Sequence, residues 1–493
     1  ATGQTRQTSD VFVRRVVASA ALGVDVDLSD LDTLSLSTRY NDRRSRPLFD
    51  VLNDEHRSGA DRTLFHRISE GPNTQSDASA SLGVSHHDGD QALKATVQHS
   101  ETTAVVDKSY RDVYLAPLRA SDDGRGATRS ARRLDQATLD FTRALARGPW
   151  SVGLDLQDKI DDMRNYQAAV DPSSGTETPD PATTNGYTVR TTTSAAYLTD
   201  QATLGQWQVL LGGRAERMAL RVHAAQDAVQ ATATNTTAAT HWQAFNPSLH
   251  VNYAVRPGAD LTLAYRRSLQ MPDPRDLNPF TTYVDAQNLS RGNPNLAPQR
   301  LSSWEIGGHA QAAHLSGDLG AFYRTSRNTV TDARSFADDV LVTSKQNGGQ
   351  ARSAGITGTL DWTPDAVLHL GADGGVYRVL LDSPDLAGRV RQAGVSGYVN
   401  LRAGWRIGRD DVALDAHGQS AGIAPLGRFG PTSSVNVTWK HALGKTLSLT
   451  VNANDLFDGS RRSYATDTST LRQTGFDHFV ARRIYVGLVK KLE

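Results

Sequence analysis

Apolar and polar residues alternate along this chain with a period of two. Leu447, Leu449 and Val451 alternate with Ser448, Thr450 and Asn452, and Val435, Val437 and Trp439 alternate with Ser434, Asn436 and Thr438. Leu261, Leu263 and Tyr265 interleave with Thr262, Ala264 and Arg266, and Val152, Leu154 and Leu156 with Gly153, Asp155 and Gln157. Such alternation predicts strands with one apolar and one polar face. A soluble sandwich turns the apolar face onto a second sheet. A membrane barrel turns it to lipid and lines its lumen with the polar face.

The connections separate these two readings. Tight reversals are predicted at 27–32, 87–91, 147–149, 204–206, 257–260, 315–318, 363–365, 408–411 and 443–445, each containing Gly, Pro or Asp. Between them lie strand, long polar loop and strand; the loops include 119–128, 171–186 and 273–299. Short turns on one side and long loops on the other are the mark of an outer-membrane barrel, with turns periplasmic and loops extracellular. A strand such as Ser76–Ser85 with its flanks is long enough for a tilted crossing of about 9–11 residues. Trp150, Trp207, Trp362 and Trp439 lie near the turns, as an interfacial girdle requires.

The fold read from this pattern is all-β: a transmembrane antiparallel up-and-down barrel filling residues 1–493. Counting turns gives about 19 strands, from Val11–Val26 to Phe479–Leu492. The first and last both run toward the short-turn side. Single-chain bacterial barrels have even strand numbers, so at least one rising strand is expected upstream of Ala1, for about 19–22 in all.

Composition narrows the class further. Lys+Arg and Asp+Glu both total 53 in 493 residues, which gives no support to nucleic-acid binding. Cysteine is absent, excluding disulfides, thiolate metal sites and Cys nucleophiles. No apolar run approaches the ~18 residues of a membrane helix. No signal segment follows Ala1.

One long stretch carries a family resemblance. Tyr265–Gly307 reads YRRSLQMPDPRDLNPFTTYVDAQNLSRGNPNLAPQRLSSWEIG. It resembles the mid-barrel signature of TonB-dependent receptors and the outer-membrane barrel family related to them. The matching residues are Arg266, Arg267, Leu277, Asn278, Pro279, Phe280, Gly292, Asn293, Pro294, Leu296, Pro298, Trp304 and Glu305, with Gln299 where the family usually has Glu. Val451–Asp458, with Asn454, Leu456 and Phe457, is similar to the family's penultimate-strand motif, and Arg482–Leu488 to its last strand. Asn278–Pro279 and Asn293–Pro294 are turn starters, since the residue before Pro is driven out of the helical region. These residues are therefore read as structural, folding a long loop so that it re-enters the next strand. The resemblance also implies an N-terminal plug with a TonB-binding segment, which is expected to lie outside residues 1–493. It implies a final aromatic recognised by the barrel-insertion machinery, where this chain has Lys490-Lys491-Leu492-Glu493.

Catalytic signatures are missing: no G-x-S-x-G, P-loop or H-E-x-x-H occurs. No cofactor or metal is expected. His86-His87-Asp88-Gly89-Asp90 reads as a solvated turn, because adjacent strand residues point to opposite faces. The Arg-rich stretch 124–133, with Arg132 and Arg133, is a candidate for lipopolysaccharide phosphates at the outer rim. Asp155, Asp158, Asp161 and Asp162 either steer a cationic ligand or are neutralised by opposing arginines. Phe280 and Tyr283, in the longest loop, are candidate ligand contacts. The expected function is energised uptake of a scarce nutrient: a siderophore, cobalamin-like compound, saccharide or peptide. Its expected partners are outer-membrane lipid and the TonB complex acting through a plug. The rivals are a passive porin-like channel and an adhesion or assembly barrel.

Overall fold

The computed structural model describes residues 3–57, 61–226, 235–285, 288–337, 340–385, 388–425, 427–467, 472–478 and 482–491. The chain opens with β1 (Gly3–Asp27), β2 (Asp32–Arg57), β3 (Thr63–Glu70), β4 (Asn73–Asp88), β5 (Gln91–Ala116), β6 (Asp122–Arg143), β7 (Trp150–Val170), β8 (Glu177–Pro179) and β9 (Asn185–Leu204). It continues with β10 (Trp207–Gln226), β11 (Asn235–Arg256), β12 (Ala259–Gln270), a 3-10 turn (Pro274–Leu277), β13 (Thr281–Asp285), β14 (Asn288–Arg291), β15 (Gln299–Ala312), β16 (Leu315–Ala337) and β17 (Val340–Trp362). Then follow β18 (Leu368–Asp385), β19 (Gly388–Ile407), β20 (Asp410–Gln419), β21 (Gly422–Ala424), β22 (Gly427–Phe429), β23 (Thr432–Ala442), β24 (Leu447–Asn454), β25 (Arg462–Asp467), β26 (Arg472–Asp477) and β27 (Arg483–Lys490).

Among the described residues one sheet holds 23 strands. Four of them (β3, β8, β13 and β14) are short additions, so 19 antiparallel strands build the wall. The hairpin β25–β26 and the short β21 and β22 form a separate four-stranded sheet at the long-loop end. Among the described residues β1 pairs only with β2, and β27 only with β24. Both edge strands run toward the short-turn face, so pairing them directly would be parallel. An antiparallel wall closes between such edges only through an odd number of further strands.

The side chains confirm the alternation and give it a sense. Across neighbouring strands Leu139, Leu154, Ala196, Ala215 and Phe245 stand in one row, and Leu263, Ile306, Ala321, Ile356 and Val376 in another. They are bare: Phe245 is 61 % exposed, Ile306 61 % and Ile356 58 %. A belt of this size is tolerable only against hydrocarbon. Trp150, Trp207 and Trp362 sit at strand ends beside the short turns and Trp439 lies close by; Trp405, 53 % exposed, joins them.

Eight of the nine expected reversals fall where the sequence puts them. The ninth is displaced: β15 ends at Ala312 and β16 begins at Leu315, so Leu315–Asp318 is strand and the chain turns at Ala313–His314. Gly317 there is a strand residue whose Cβ would come 3.0 Å from the Thr359 carbonyl oxygen. The expected loop 119–128 is shorter too, because β6 starts at Asp122. Gly124 and Gly126 sit in that strand because a Cβ at Gly124 would lie 2.3 Å from the Tyr110 ring, and one at Gly126 would lie 2.8 Å from Gln167. The last strand is observed as Arg483–Lys490; residues 479–481 and 492–493 lie outside the described part.

Candidate functional site: the loop across the barrel mouth

The connection from β12 to β15 does not stand away from the barrel. It folds back over the lumen. After Gln270 the chain makes the 3-10 turn Pro274–Leu277, capped by Asp273, whose carboxylate accepts from the Arg275 N–H at 2.9 Å. Asn278 then makes the turn that its Pro neighbour favours. Its Oδ1 accepts from the Phe280 N–H at 3.1 Å, and its Nδ2 donates to Asn185 Oδ1 at 3.0 Å and Thr282 Oγ1 at 3.2 Å. The returning Gly292-Asn293 segment lies directly on this turn: Gly292 N–H donates to Asn278 O at 2.7 Å and Asn293 N–H to Asp276 O at 2.6 Å. A Cβ on Gly292 would be 2.4 Å from Asp276 O, which is why only glycine fits.

Two leucines fix the loop to the wall. Leu277 and Leu296 are 0 % and 1 % exposed, packed on Tyr187, Val189, Leu220, Val222 and Ala224. Those wall residues face the lumen on β9 and β10. The alternation in β10 thus changes phase along its length. Near the short turn Leu211 and Ala215 point outward, and Arg214 and Glu216 inward. Farther up, Arg217, Arg221 and His223 are outside, and Met218, Leu220, Val222 and Ala224 are buried inside. The outer face there has left the hydrocarbon, and the inner face is covered by the loop.

The loop reaches both flanks of the mouth. On one side β14 pairs in parallel with Leu341–Thr343 of β17. Asn347 accepts from the Ala297 N–H at 2.7 Å and donates to the Ala297 and Asn328 carbonyls, both at 3.0 Å. On the other side Tyr283 accepts from Arg67 on β3. Arg67 is held by both Asp112 oxygens at 2.6 Å and lies 4.3 Å from the Tyr110 ring centre. Between β5 and β12 stand β6, β7, β9, β10 and β11, so the loop spans a chord of the mouth. Asp276 lies within the loop, in its 3-10 turn; burial pushes its carboxyl up, opposed by Lys345 at 3.6 Å, while Asp273 pushes the same way as burial. In the outer turn 171–176, hydrogen bonds from Ser173 and then Ser174 bring the Asp171 carboxyl down to about 2.

The remaining residues of the sequence motifs are dispersed. Arg266 faces the lumen beside Glu305, and Arg267 faces outward. Glu305 pairs with Arg324 at 2.9 Å. Pro298 is buried, and its carbonyl accepts from Asn328 at 3.1 Å. Phe280 packs half-buried against the leucine cluster, with Pro279 before it, and Pro294 lies in the Gly292–Leu296 return. Asn454 pairs with Arg483 at the top of β24; Leu456 N–H donates to Val435 O, and Phe457 is 73 % exposed.

The acidic set on β7 is neutralised. Asp155 pairs with Arg214 at 2.8 Å, Asp158 with Arg190 at 2.8 Å, Asp161 with Arg132 at 2.6 Å and Asp162 with Arg164 at 3.8 Å. Arg132 and Arg133 therefore lie in a strand, not a loop; Arg132 serves Asp161 and Arg133 serves Asp135 at 3.3 Å. His86 pairs with Asp32 at 2.8 Å. Among the described residues one trio, Asp455, Asp458 and His478, brings ligand-type atoms within 4.8 Å of one another, but Asp455 already accepts from the Gly459 and Ser460 N–H groups.

What sequence reasoning missed is the inward side of this loop. The apolar run Met218-x-Leu220-x-Val222-x-Ala224, out of phase with the belt, was its signal.

The sequence model of the outer membrane protein beta-barrel family matches residues 86–489. No curated protein matches by sequence. Among solved structures, the ferric-catecholate import receptor of E. coli K12 superposes with a TM-score of 0.64 at 12 % identity, over 99 % of this chain and 81 % of that one. The ferric yersiniabactin uptake receptor of Yersinia pestis gives 0.60 at 11 % over 99 % and 80 %, and a ferric citrate transporter 0.59 at 14 % over 99 % and 78 %.

Proposed function

Because this chain belongs to the outer membrane protein beta-barrel family of Gram-negative bacteria, we propose that it is the barrel of a TonB-dependent receptor, not an enzyme, taking up a scarce nutrient at its extracellular face. The single observation that carries this reading is the loop pinned across the mouth by Leu277, Leu296 and Arg67. A receptor can use such a docked segment to couple ligand arrival outside to an opening inside. The uptake receptors it superposes on support the same reading. Phe280 and Tyr283 are the loop side chains we assign to sensing the ligand.

In this reading energy comes from the TonB complex through a plug domain. Strands outside residues 1–493 fill the gap between the co-directional edges of β1 and β27, and assembly passes through the barrel-insertion machinery. The nutrient is a siderophore, cobalamin-like compound, saccharide or peptide.

The test is growth on single scarce nutrients. Deleting the gene should abolish uptake of one nutrient, and deleting TonB should abolish the same uptake. Uptake that persists without TonB would make the protein a passive channel. No nutrient-specific defect at all would favour an adhesion or assembly barrel.

A further inference from the structure

The outer wall changes character where the belt ends on β12 and β15–β18. Tyr265, Trp304 and Tyr323 stand side by side there, the first two rings 4.3 Å apart. Below them lie Ile306, Ile356 and Val376. Level with or just above them come Arg267, Arg300, Arg327, Arg352 and Arg378, all exposed.

Strand register places these arginines on one face. Arg300 and Arg327 are directly opposed. Arg267 faces Ser302, Thr325 faces Arg352 and Ala354 faces Arg378. Each arginine is therefore a direct or diagonal neighbour of the next, about 5 to 8 Å away. Among the described residues none of the five guanidinium groups has a hydrogen-bond or ion-pair partner in the protein. Asp382, the acid on this face, is engaged by Arg389 at 2.7 Å and Arg391 at 3.3 Å. Two other outward arginines are paired, Arg190 with Asp158 and Arg133 with Asp135, whereas Arg217 on β10 stands without an arginine directly or diagonally beside it.

Like charges directly opposed in a sheet destabilise it. An anion supplied from outside relieves that repulsion. The height of this face suits one: Arg267, Arg352 and Arg378 stand about one tilted crossing of 9–11 residues from the short-turn ends of their strands, at the outer headgroup level.

We propose that this face of β12 and β15–β18 is a binding site for the phosphorylated headgroup of a lipid A-type glycolipid. Its phosphates accept from the guanidinium forks, and its acyl chains lie on Ile306, Ile356 and Val376. The chemistry recognised is phosphate carried on an amphiphile. The site rests on the membrane location and is independent of the receptor reading.

The test uses the full chain in detergent micelles, with lipid A, dephosphorylated lipid A and inorganic phosphate as probes. Bound lipid is read by native mass spectrometry and affinity by tryptophan fluorescence. R300Q/R327Q should weaken lipid A binding about tenfold or more and reduce its salt dependence. Dephosphorylated lipid A should bind wild type as weakly as lipid A binds the variant, and inorganic phosphate should not displace lipid A. R217Q, an outward arginine on β10 away from the patch, should bind as wild type does. Heat-modifiable gel mobility reports folding; if the double variant does not fold, R327Q and R352Q singly should each lower affinity. Equal lipid A binding by R300Q/R327Q overturns the proposal. So do equal binding of the dephosphorylated lipid, displacement by inorganic phosphate, or an equal loss in R217Q.

Discussion

Leu277→Ala should release the loop from the mouth while leaving the barrel wall intact. Leu277 is 0 % exposed and is packed with Leu296 on Val189, Leu220 and Val222. Truncating a leucine so enclosed costs roughly 2–5 kcal/mol. No wall strand depends on Leu277 for its pairing, so the cost falls on loop docking. At about 1.4 kcal/mol per tenfold, the undocked fraction should rise from about thirtyfold to a few thousandfold. Trypsin reads this directly, since Arg275 and Arg291 bracket the β13–β14 hairpin. Where opening is fast relative to cleavage, the rate follows the open population, so cleavage at these sites should quicken at least about thirtyfold. Leu211→Ala, on the lipid face at 55 % exposure, is the control and should leave cleavage unchanged. A Leu277→Ala rate within about threefold of wild type, with the wall still heat-modifiable, would refute the docking account.

Three further outcomes follow from the same geometry. Gly292→Ala places a Cβ 2.4 Å from the Asp276 carbonyl oxygen; such overpacking costs about 1–3 kcal/mol, and trypsin should again cut sooner. Asp276→Asn should act in the opposite direction at neutral pH. Burial raises this carboxyl, so the docked loop is favoured below the ordinary carboxylate range and loses stability as pH rises through the raised value; the amide removes that loss, and cleavage should slow and no longer depend on this ionisation. Asp171 shifts the other way, down to about 2. Its contribution is present above the ordinary value and disappears as pH falls toward 2. Amide-exchange protection of Ser173 and Ser174, corrected for intrinsic rates, should fall over that interval in wild type and be flat in Asp171→Asn.

The sequence by itself determined the wall. Alternation at Leu261–Tyr265 or Leu447–Val451 needs only the two-residue pleat to be legible, and reversals with Gly, Pro or Asp announce themselves locally. The misplaced reversal at Ala313–His314 shows the boundary of that logic: its turn residues carry no such signal, and the nearby Ser316-Gly317-Asp318 does. The expected loop 119–128 is cut short in the same way, since Gly124 and Gly126 answer to Tyr110 and Gln167 across the sheet and not to a turn. Tertiary structure alone decided the rest. Whether Leu277 and Leu296 face water or the lumenal wall depends on β9 and β10, about a hundred residues away in sequence for Leu277 and Tyr187. Whether an arginine is spare depends on which residue stands opposite it. Arg132 and Arg133, conspicuous in sequence, are consumed by Asp161 and Asp135, while Arg300 and Arg327, unremarkable in sequence, face each other because register puts them there. Local chemistry writes the strands; only long-range pairing assigns their faces, their partners and the unbalanced charge on which a site is built.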